Sequence, residues 1–389
     1  MLKPMTIEKI RYFFRRLGAL IYRVKAFYYK KRFASPVIHK IDPASVKRLI
    51  LMGWHNKLGD AVVMRAFVDL INRYRPDIEL TILTGDLGKA WLSGFAKAQF
   101  LDVGQPSHQN AKSLIAYQGQ FDAFVDLTTN VSPRCMMALY YSKTPIIVGY
   151  DKADCPLYNV NIDSKHFQIL KRYVAAAQLF ITETVQPRLP HPPIHRPEPN
   201  YPDFPTLKAQ FQHVVAVNLF SASRHRSFTL ETGRRFLAWW CEHFPNDLLL
   251  LVPVPNPDHM ATLKALEKAM RHTGQVALPK QPPSLDLTIG LIADCDFCFS
   301  PDTSIVHIAS ALNQPLIAIY QNNHAHYTWK EWCPHHGRYE VILTRPVTDP
   351  NVRVPVDDFS KEDFLNAYHR ITADVKEHRQ GAKMELVNL

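Results

Sequence analysis

One stretch of this sequence narrows its possible folds more than any other. Residues 295–320 read Cys-Asp-Phe-Cys-Phe-Ser-Pro-Asp-Thr-Ser-Ile-Val-His-Ile-Ala-Ser-Ala-Leu-Asn-Gln-Pro-Leu-Ile-Ala-Ile-Tyr. The pattern predicts a strand, a polar turn, an amphipathic helix, a proline stop and a second buried strand. The turn at residues 300–304 falls where the first strand ends and the helix begins. Free backbone N–H groups and the positive end of the helix dipole suit such a turn to an anion. Thr303 and Ser304 add hydroxyl donors, and Asp302 can accept hydrogen bonds from sugar hydroxyls. The same residues also fit a plain helix cap, with Ile305, Ile308, Ala309 and Leu312 as core. Spacing alone does not choose between the two.

The alternation runs through most of the chain. Strands are predicted at residues 46–53, 78–83, 121–127 and 146–149, with a helix over 61–74. A second series follows at 213–219, 248–253, 297–300 and 316–320, and the tail from Lys361 to Lys376 reads as helix. Strands alternating with helices of this size predict parallel, doubly wound sheets. Between the two series, residues 186–205 hold eight prolines in twenty positions, which excludes a helix or central strand and reads as a linker. At 389 residues, two domains are expected. The fold class is α/β: two Rossmann-like domains facing across a cleft, with ligands at the carboxyl ends of their strands. The boundaries are a basic leader at 1–45, a first domain at 46–185, a linker at 186–210, a second domain at 211–355 and a helical tail at 356–389.

The formal net charge of +11 is concentrated at one end. Residues 1–33 hold ten lysines and arginines against the single acid Glu8, so this leader carries +9. Ile7, Ile10, Phe14, Leu17, Ile21, Val24 and Tyr28 recur at three- and four-residue steps, giving one apolar face. A basic amphipathic helix suits an anionic membrane surface, and it equally suits packing on its own protein or on a partner. No helix-turn-helix, zinc-finger or RNP pattern accompanies the charge, so nucleic acid is not expected. No apolar run is long enough to span a bilayer, and no secretory signal is evident. Cys295 and Cys298 form a CxxC without a second pair at zinc spacing, and they lie in an apolar strand pattern. His324, His326, His335 and His336 lack ligand periodicity and read as a loop beside the site.

Two further turns stand where strands give way to helices. After the first strand comes Trp54-His-Asn-Lys57-Leu-Gly59-Asp60. Glycine there gives close backbone approach, and Asp60 either points into the cleft or caps the helix. Lys57 is either functional or plain surface charge. After the first strand of the second domain comes Ser221-Ala-Ser223-Arg224-His-Arg226, either a phosphate turn or an exposed basic loop.

The sequence Asp302-Thr303-Ser304-Ile305-Val306-His307 resembles the Asp-Thr-(Gly or Ser)-x-x-His donor signature of the ADP-heptose:lipopolysaccharide heptosyltransferase family, glycosyltransferase family 9. The likeness runs from about residue 47 onward, and the family has the two-domain GT-B fold. It implies that Asp302 binds sugar hydroxyls and that the amides of Thr303, Ser304 and Ile305 bind the diphosphate, with His307 completing the motif. Serine at 304 replaces the more usual glycine and leaves less room. The resemblance also implies Asp60 as general base, with Lys57 and Gly59 beside the acceptor. Ser221, Ser223 and Arg226, assisted by Arg224, match the family's phosphate turn. The family's acidic ribose contact has no clear counterpart; Asp258 stands nearest. Gly149-Tyr150-Asp151 is also family-like, while Trp329 and Trp332 either border the site or pack. The final helices of this fold often cross back to the first domain, whereas the basic leader departs from the family.

The activity so implied is inverting transfer of heptose from ADP-heptose to an acidic lipid A–Kdo inner core, at the cytoplasmic membrane face, without metal or cofactor. Two other readings stay open: the same chemistry on another nucleotide sugar, and a non-catalytic membrane-associated assembly protein. Retention of both Asp60 and Asp302 argues against the second.

Overall fold

The computed structural model describes residues 20, 24–25, 27–33, 35–55, 57–94, 97–128, 132–163, 168–322, 328–349, 352 and 354–373. The chain divides into two compact units, the first of residues 1–167 and 171–187, the second of 168–170 and 188–389.

In the first unit, six parallel strands are ordered β3-β2-β1-β4-β5-β6. They are β1 Arg48–Met52, β2 Glu79–Leu83, β3 Gln99–Leu101, β4 Ala123–Asp126, β5 Ile146–Tyr150 and β6 Val160–Ile162. Helix α1 at residues 27–32 precedes them. Helices α2 Leu58–Tyr74, α3 Asp86–Leu92, α4 His108–Lys112 and α5 Pro133–Ser142 connect the strands, and α6 Ile169–Gln178 follows.

The second unit repeats the topology in the order β12-β11-β10-β7-β8-β9, again all parallel. Its strands are β7 His213–Val217, β8 Asp247–Leu251, β9 Val276–Ala277, β10 Phe297–Pro301, β11 Leu316–Tyr320 and β12 Tyr339–Leu343. Helices α7 Phe204–Gln210, α8 Leu230–His243, α9 Pro257–Met270, α10 Leu285–Asp294, α11 Ser304–Ala311 and α12 Thr328–Trp332 belong to it, with α13 at residues 361–373. Strands β7, β8, β10 and β11 are buried along their whole length, as a sheet covered on both faces requires. Each sheet reverses its order between a first strand and its neighbour, β1 beside β4 and β7 beside β10. Ligand crevices form at the carboxyl ends of such strand pairs.

One expectation needs correction. The proline-rich segment does contain a helix: α7 begins at Phe204, Asp203 caps it by accepting from Thr206 N, and Pro205 sits in the first turn. Proline is tolerated there because its missing N–H would have no helical partner. The tail helix α13 packs on the core of the second unit, where Phe364 and Tyr368 join Phe236, Trp240 and Phe297. Tyr368 Oη donates to Asp247 Oδ2 at 2.8 Å, and His213 Nδ1 lies 2.8 Å from Asp247 Oδ1. This buried network fastens α13 to the amino ends of β7 and β8.

Of the leader, residues 1–19, 21–23, 26 and 34 lie outside the described residues, and with them Ile7, Ile10, Phe14, Leu17 and Ile21 of its apolar stripe. Its described end docks on the first unit. Phe33 is buried in the first unit's core beside residues of α5.

Candidate active site

The second unit brings two predicted turns together at the carboxyl edge of β7 and β10. Asn218, directly after β7, is buried and donates from Nδ2 to Phe220 O at 3.0 Å. The same nitrogen lies 2.9 Å from Ser300 Oγ and 3.2 Å from Thr303 Oγ1. Ser227 braces the loop, with its Oγ accepting from Ser221 N at 2.9 Å and standing 3.1 Å from Ser223 O. Ser221 Oγ in turn accepts from Ser223 N at 3.1 Å. A loop tied by its own hydroxyls holds Arg226 toward the other turn, and Arg226 Nη1 forms an ion pair with Asp302 Oδ2. Arg224, by contrast, is exposed.

Asp302 is almost fully buried. Burial raises its pKa, with the Arg226 charge and hydrogen bond opposing. Thr303 is the N-cap of α11, its Oγ1 accepting from Ile305 N at 3.1 Å. The Ile305 amide is therefore already engaged, whereas the amides of Thr303 and Ser304 take no partner among the described residues. Those two, rather than Ile305, are the donors left for a phosphate oxygen. His307 lies beneath the turn, buried between Trp332 and the stacked ring of His335, 5.6 and 5.5 Å away between centroids. Burial lowers its pKa to about 4. Its place is that of a neutral core imidazole. Asp258 is exposed in the first turn of α9, and Trp329 and Trp332 are half-buried. His324 and His326 lie outside the described residues.

In the first unit, Lys57 takes the N-cap position of α2, and Gly59 and Asp60 are its second and third residues. The cap reading of Asp60 is thus corrected: its half-buried carboxylate sits inside the first turn, where the helix dipole favours negative charge. Asp60 is close enough to buried Tyr173 on α6 to add to the upward push that burial gives this phenol's pKa.

Beside it, the end of β4 carries a fully buried ion pair that sequence reading missed. Lys152 Nζ lies 2.9 Å from Asp126 Oδ2, and Tyr158 Oη donates to the same oxygen at 2.6 Å. Gly149 makes room for this ring, since a Cβ there would lie 2.6 Å from Tyr158 Cδ1. Burial pushes the Asp126 pKa up, but Lys152 and the hydrogen bonds from Tyr158 and Thr128 outweigh it and hold it below the usual carboxylate value. Thr128 N donates to Asp126 Oδ1 at 3.0 Å, so the pair fixes the chain as it leaves the sheet. Arg172 lies over the Tyr150 ring at 3.8 Å, which makes that tyrosine a packing surface for a cation. Among the described residues no group of histidines, cysteines and acids could hold a metal ion.

Two parallel sheets with polar turns at their carboxyl edges are the architecture of GT-B glycosyltransferases. The crystal structure of the glycosyl transferase family 9 protein from Veillonella parvula DSM 2008 superposes with a TM-score of 0.59 at 14% identity, covering 84% of this chain and 97% of that one. The structure of Escherichia coli heptosyltransferase WaaC with ADP-2-deoxy-2-fluoro heptose superposes with a TM-score of 0.54 at 14% identity, covering 82% and 99%. The fold is therefore the one these glycosyltransferases share, GT-B. Residues 246–351, which include the Asp302 turn, match the model of glycosyltransferase family 9 (heptosyltransferase). A curated protein of Escherichia coli (strain K12), "Putative lipopolysaccharide heptosyltransferase 4", is 24% identical over 378 residues, 92% of this chain and 98% of its own length.

Proposed function

We propose that the protein transfers heptose from ADP-heptose, with inversion, to an acidic lipid A–Kdo inner-core acceptor. The observation that carries this reading is the joining of the Ser221–Arg226 loop to the Asp302 turn through Asn218 and the Arg226–Asp302 pair. In this account Arg226 and the Thr303 and Ser304 amides gather the diphosphate, and Asp302 accepts from sugar hydroxyls. Arginine offers a bidentate fork to phosphate, and positive charge at the departing diphosphate meets the main electrostatic demand of the step. The acceptor oxygen attacks the anomeric carbon, the bond from that carbon to the β-phosphate oxygen breaks, and ADP leaves with the bonding pair. Asp60 takes the acceptor proton. Lys57 and Gly59 border the acceptor. One base with no covalent intermediate gives a single displacement, hence inversion.

The acceptor is a membrane glycolipid, so the protein works as a peripheral protein on the inner face of the cytoplasmic membrane. Residues 1–33 supply the contact with anionic lipid. No helix among the described residues is long and apolar enough to cross a membrane. The test of the donor is calorimetric titration of the full chain with a panel of nucleotide sugars. ADP-heptose is expected to bind most tightly, and a preference for a uridine or guanosine sugar would overturn the assignment.

A further inference from the structure

The leader does more than carry charge, because its described end is fastened along α5. Phe33 stacks on Tyr140 with centroids 3.9 Å apart, and Tyr29 stacks on Phe33 at 5.0 Å. Lys30 pairs with Asp154 in the same region. Tyr140 stands near the carboxyl end of α5, and the Lys25 charge acts on His108, which lies against the middle of that helix. His108 Nδ1 lies 2.7 Å from Met137 Sδ of α5, and Arg134 Nη1 donates to Pro106 O at 3.2 Å. Burial lowers the pKa of His108, and the charges of Lys25, Arg134 and Lys112 lower it further, so all three cations lie within electrostatic reach of it. All three are exposed, and among the described residues none pairs with a carboxylate.

Apolar surface adjoins this charge. Leu20, Val24, Phe27 and Tyr28 are each more than half exposed, and their spacing puts them along one stripe. An exposed apolar stripe edged by unpaired cations matches an anionic bilayer in both of its parts, the acyl boundary and the head groups. Continuity with the candidate site is direct. Trp54 Nε1 donates to Gly104 O at 2.6 Å, tying the turn that leads to Asp60 to the loop whose Pro106 O accepts from Arg134 of α5.

We propose that the leader helix and the α4–α5 edge of the first unit form one docking surface for an anionic bilayer. Leu20, Val24, Phe27 and Tyr28 enter the acyl boundary, while Lys25, Lys112 and Arg134 hold acidic head groups. The surface thereby turns the Asp60 edge toward the membrane. The inference deepens the transferase reading and relies on it only for the purpose of docking, since vesicle binding is measured without turnover.

The test is sedimentation of the full chain with phosphatidylcholine vesicles, with and without phosphatidylglycerol, at low salt. The natural sequence should bind only the anionic vesicles. Lys112→Glu/Arg134→Glu, which leaves the leader untouched, should weaken that binding at least about tenfold, given the usual contribution of each basic residue near such a surface. Val24→Ser/Phe27→Ser should weaken it comparably, and both variants should keep their melting temperature and their ADP affinity. If the charge reversal lowers the melting temperature, Lys112→Gln/Arg134→Gln takes its place with the same expected direction. Natural-sequence binding by the Lys112/Arg134 variants, or indifference of the full chain to anionic vesicles, would overturn the proposal. Vesicle binding without ADP binding would contradict the transferase reading alone.

Discussion

Arg226 and Asp302, 76 residues apart in the sequence, form an ion pair that closes one loop of the second unit onto the next. Each thereby compensates the other: the arginine lowers the cost of a buried carboxylate, and the carboxylate fixes the direction of the guanidinium. Phosphate oxygens arriving at this turn would find Arg226 already positioned. Arg226→Ala should weaken ADP binding by about 1.5–3 kcal/mol, the range for a hydrogen bond to a charged group. It should also let the Asp302 pKa rise further. Unchanged ADP affinity by calorimetry would remove Arg226 from the donor site.

Asp60→Asn removes the proposed proton acceptor while leaving the α2 first turn nearly isosteric. Turnover should fall roughly 10²–10⁴-fold with ADP affinity retained, the range typical of general-base loss. Steady-state kinetics with near-normal turnover would show that Asp60 only stabilises the helix terminus.

Lys152 and Asp126 should be intolerant of single substitution. Lys152→Met leaves a buried carboxylate without its cation, at a cost of about 3–5 kcal/mol. Chemical denaturation measures this, and a loss below about 1 kcal/mol, the range of an exposed pair, would contradict the buried geometry. Because the Asp126 pKa is held low, its contribution is present above the ordinary carboxylate pKa near 3.8 and is lost as pH falls through the lower folded value.

His307 sets a second pH dependence with its own window. Its folded pKa of about 4 lies below the usual 6.5, so the unfolded chain takes up the proton first as pH falls. Stability should be complete above 6.5 and drop by on the order of 3 kcal/mol on the way to pH 4. His307→Leu should flatten that slope in thermal melts. A remainder should persist, because burial and the neighbouring His336 still lower the pKa of His335 in that variant. An unaltered slope would place the titration elsewhere.

The long buried strands were legible because they are continuous apolar runs between turn residues. Leu248–Leu251 and Leu316–Tyr320 admit little else. Strands β3, β6 and β9 are two or three residues long and lie at or beside sheet edges, where pairing rather than sequence pattern defines them. The candidate site divides in the same way. Asp302, Thr303 and Arg226 stand in turns whose composition announces them. Asn218, which joins those turns, is one polar residue after a strand, and its partners at 300 and 303 are distant in sequence. Lys152 gave no signal, since a lysine near a Gly-Tyr-Asp turn reads as exposed until the fold places it against Asp126.

The central claim is heptose transfer, and the most direct measurement is product formation from ADP-heptose and a Kdo-bearing lipid A acceptor by the full chain. The acceptor mass should rise by one heptose, ADP should be released in equal amount, and the new linkage should have the opposite anomeric configuration to the donor. An acceptor of unchanged mass with ADP-heptose, alongside transfer from another nucleotide sugar, would contradict the account.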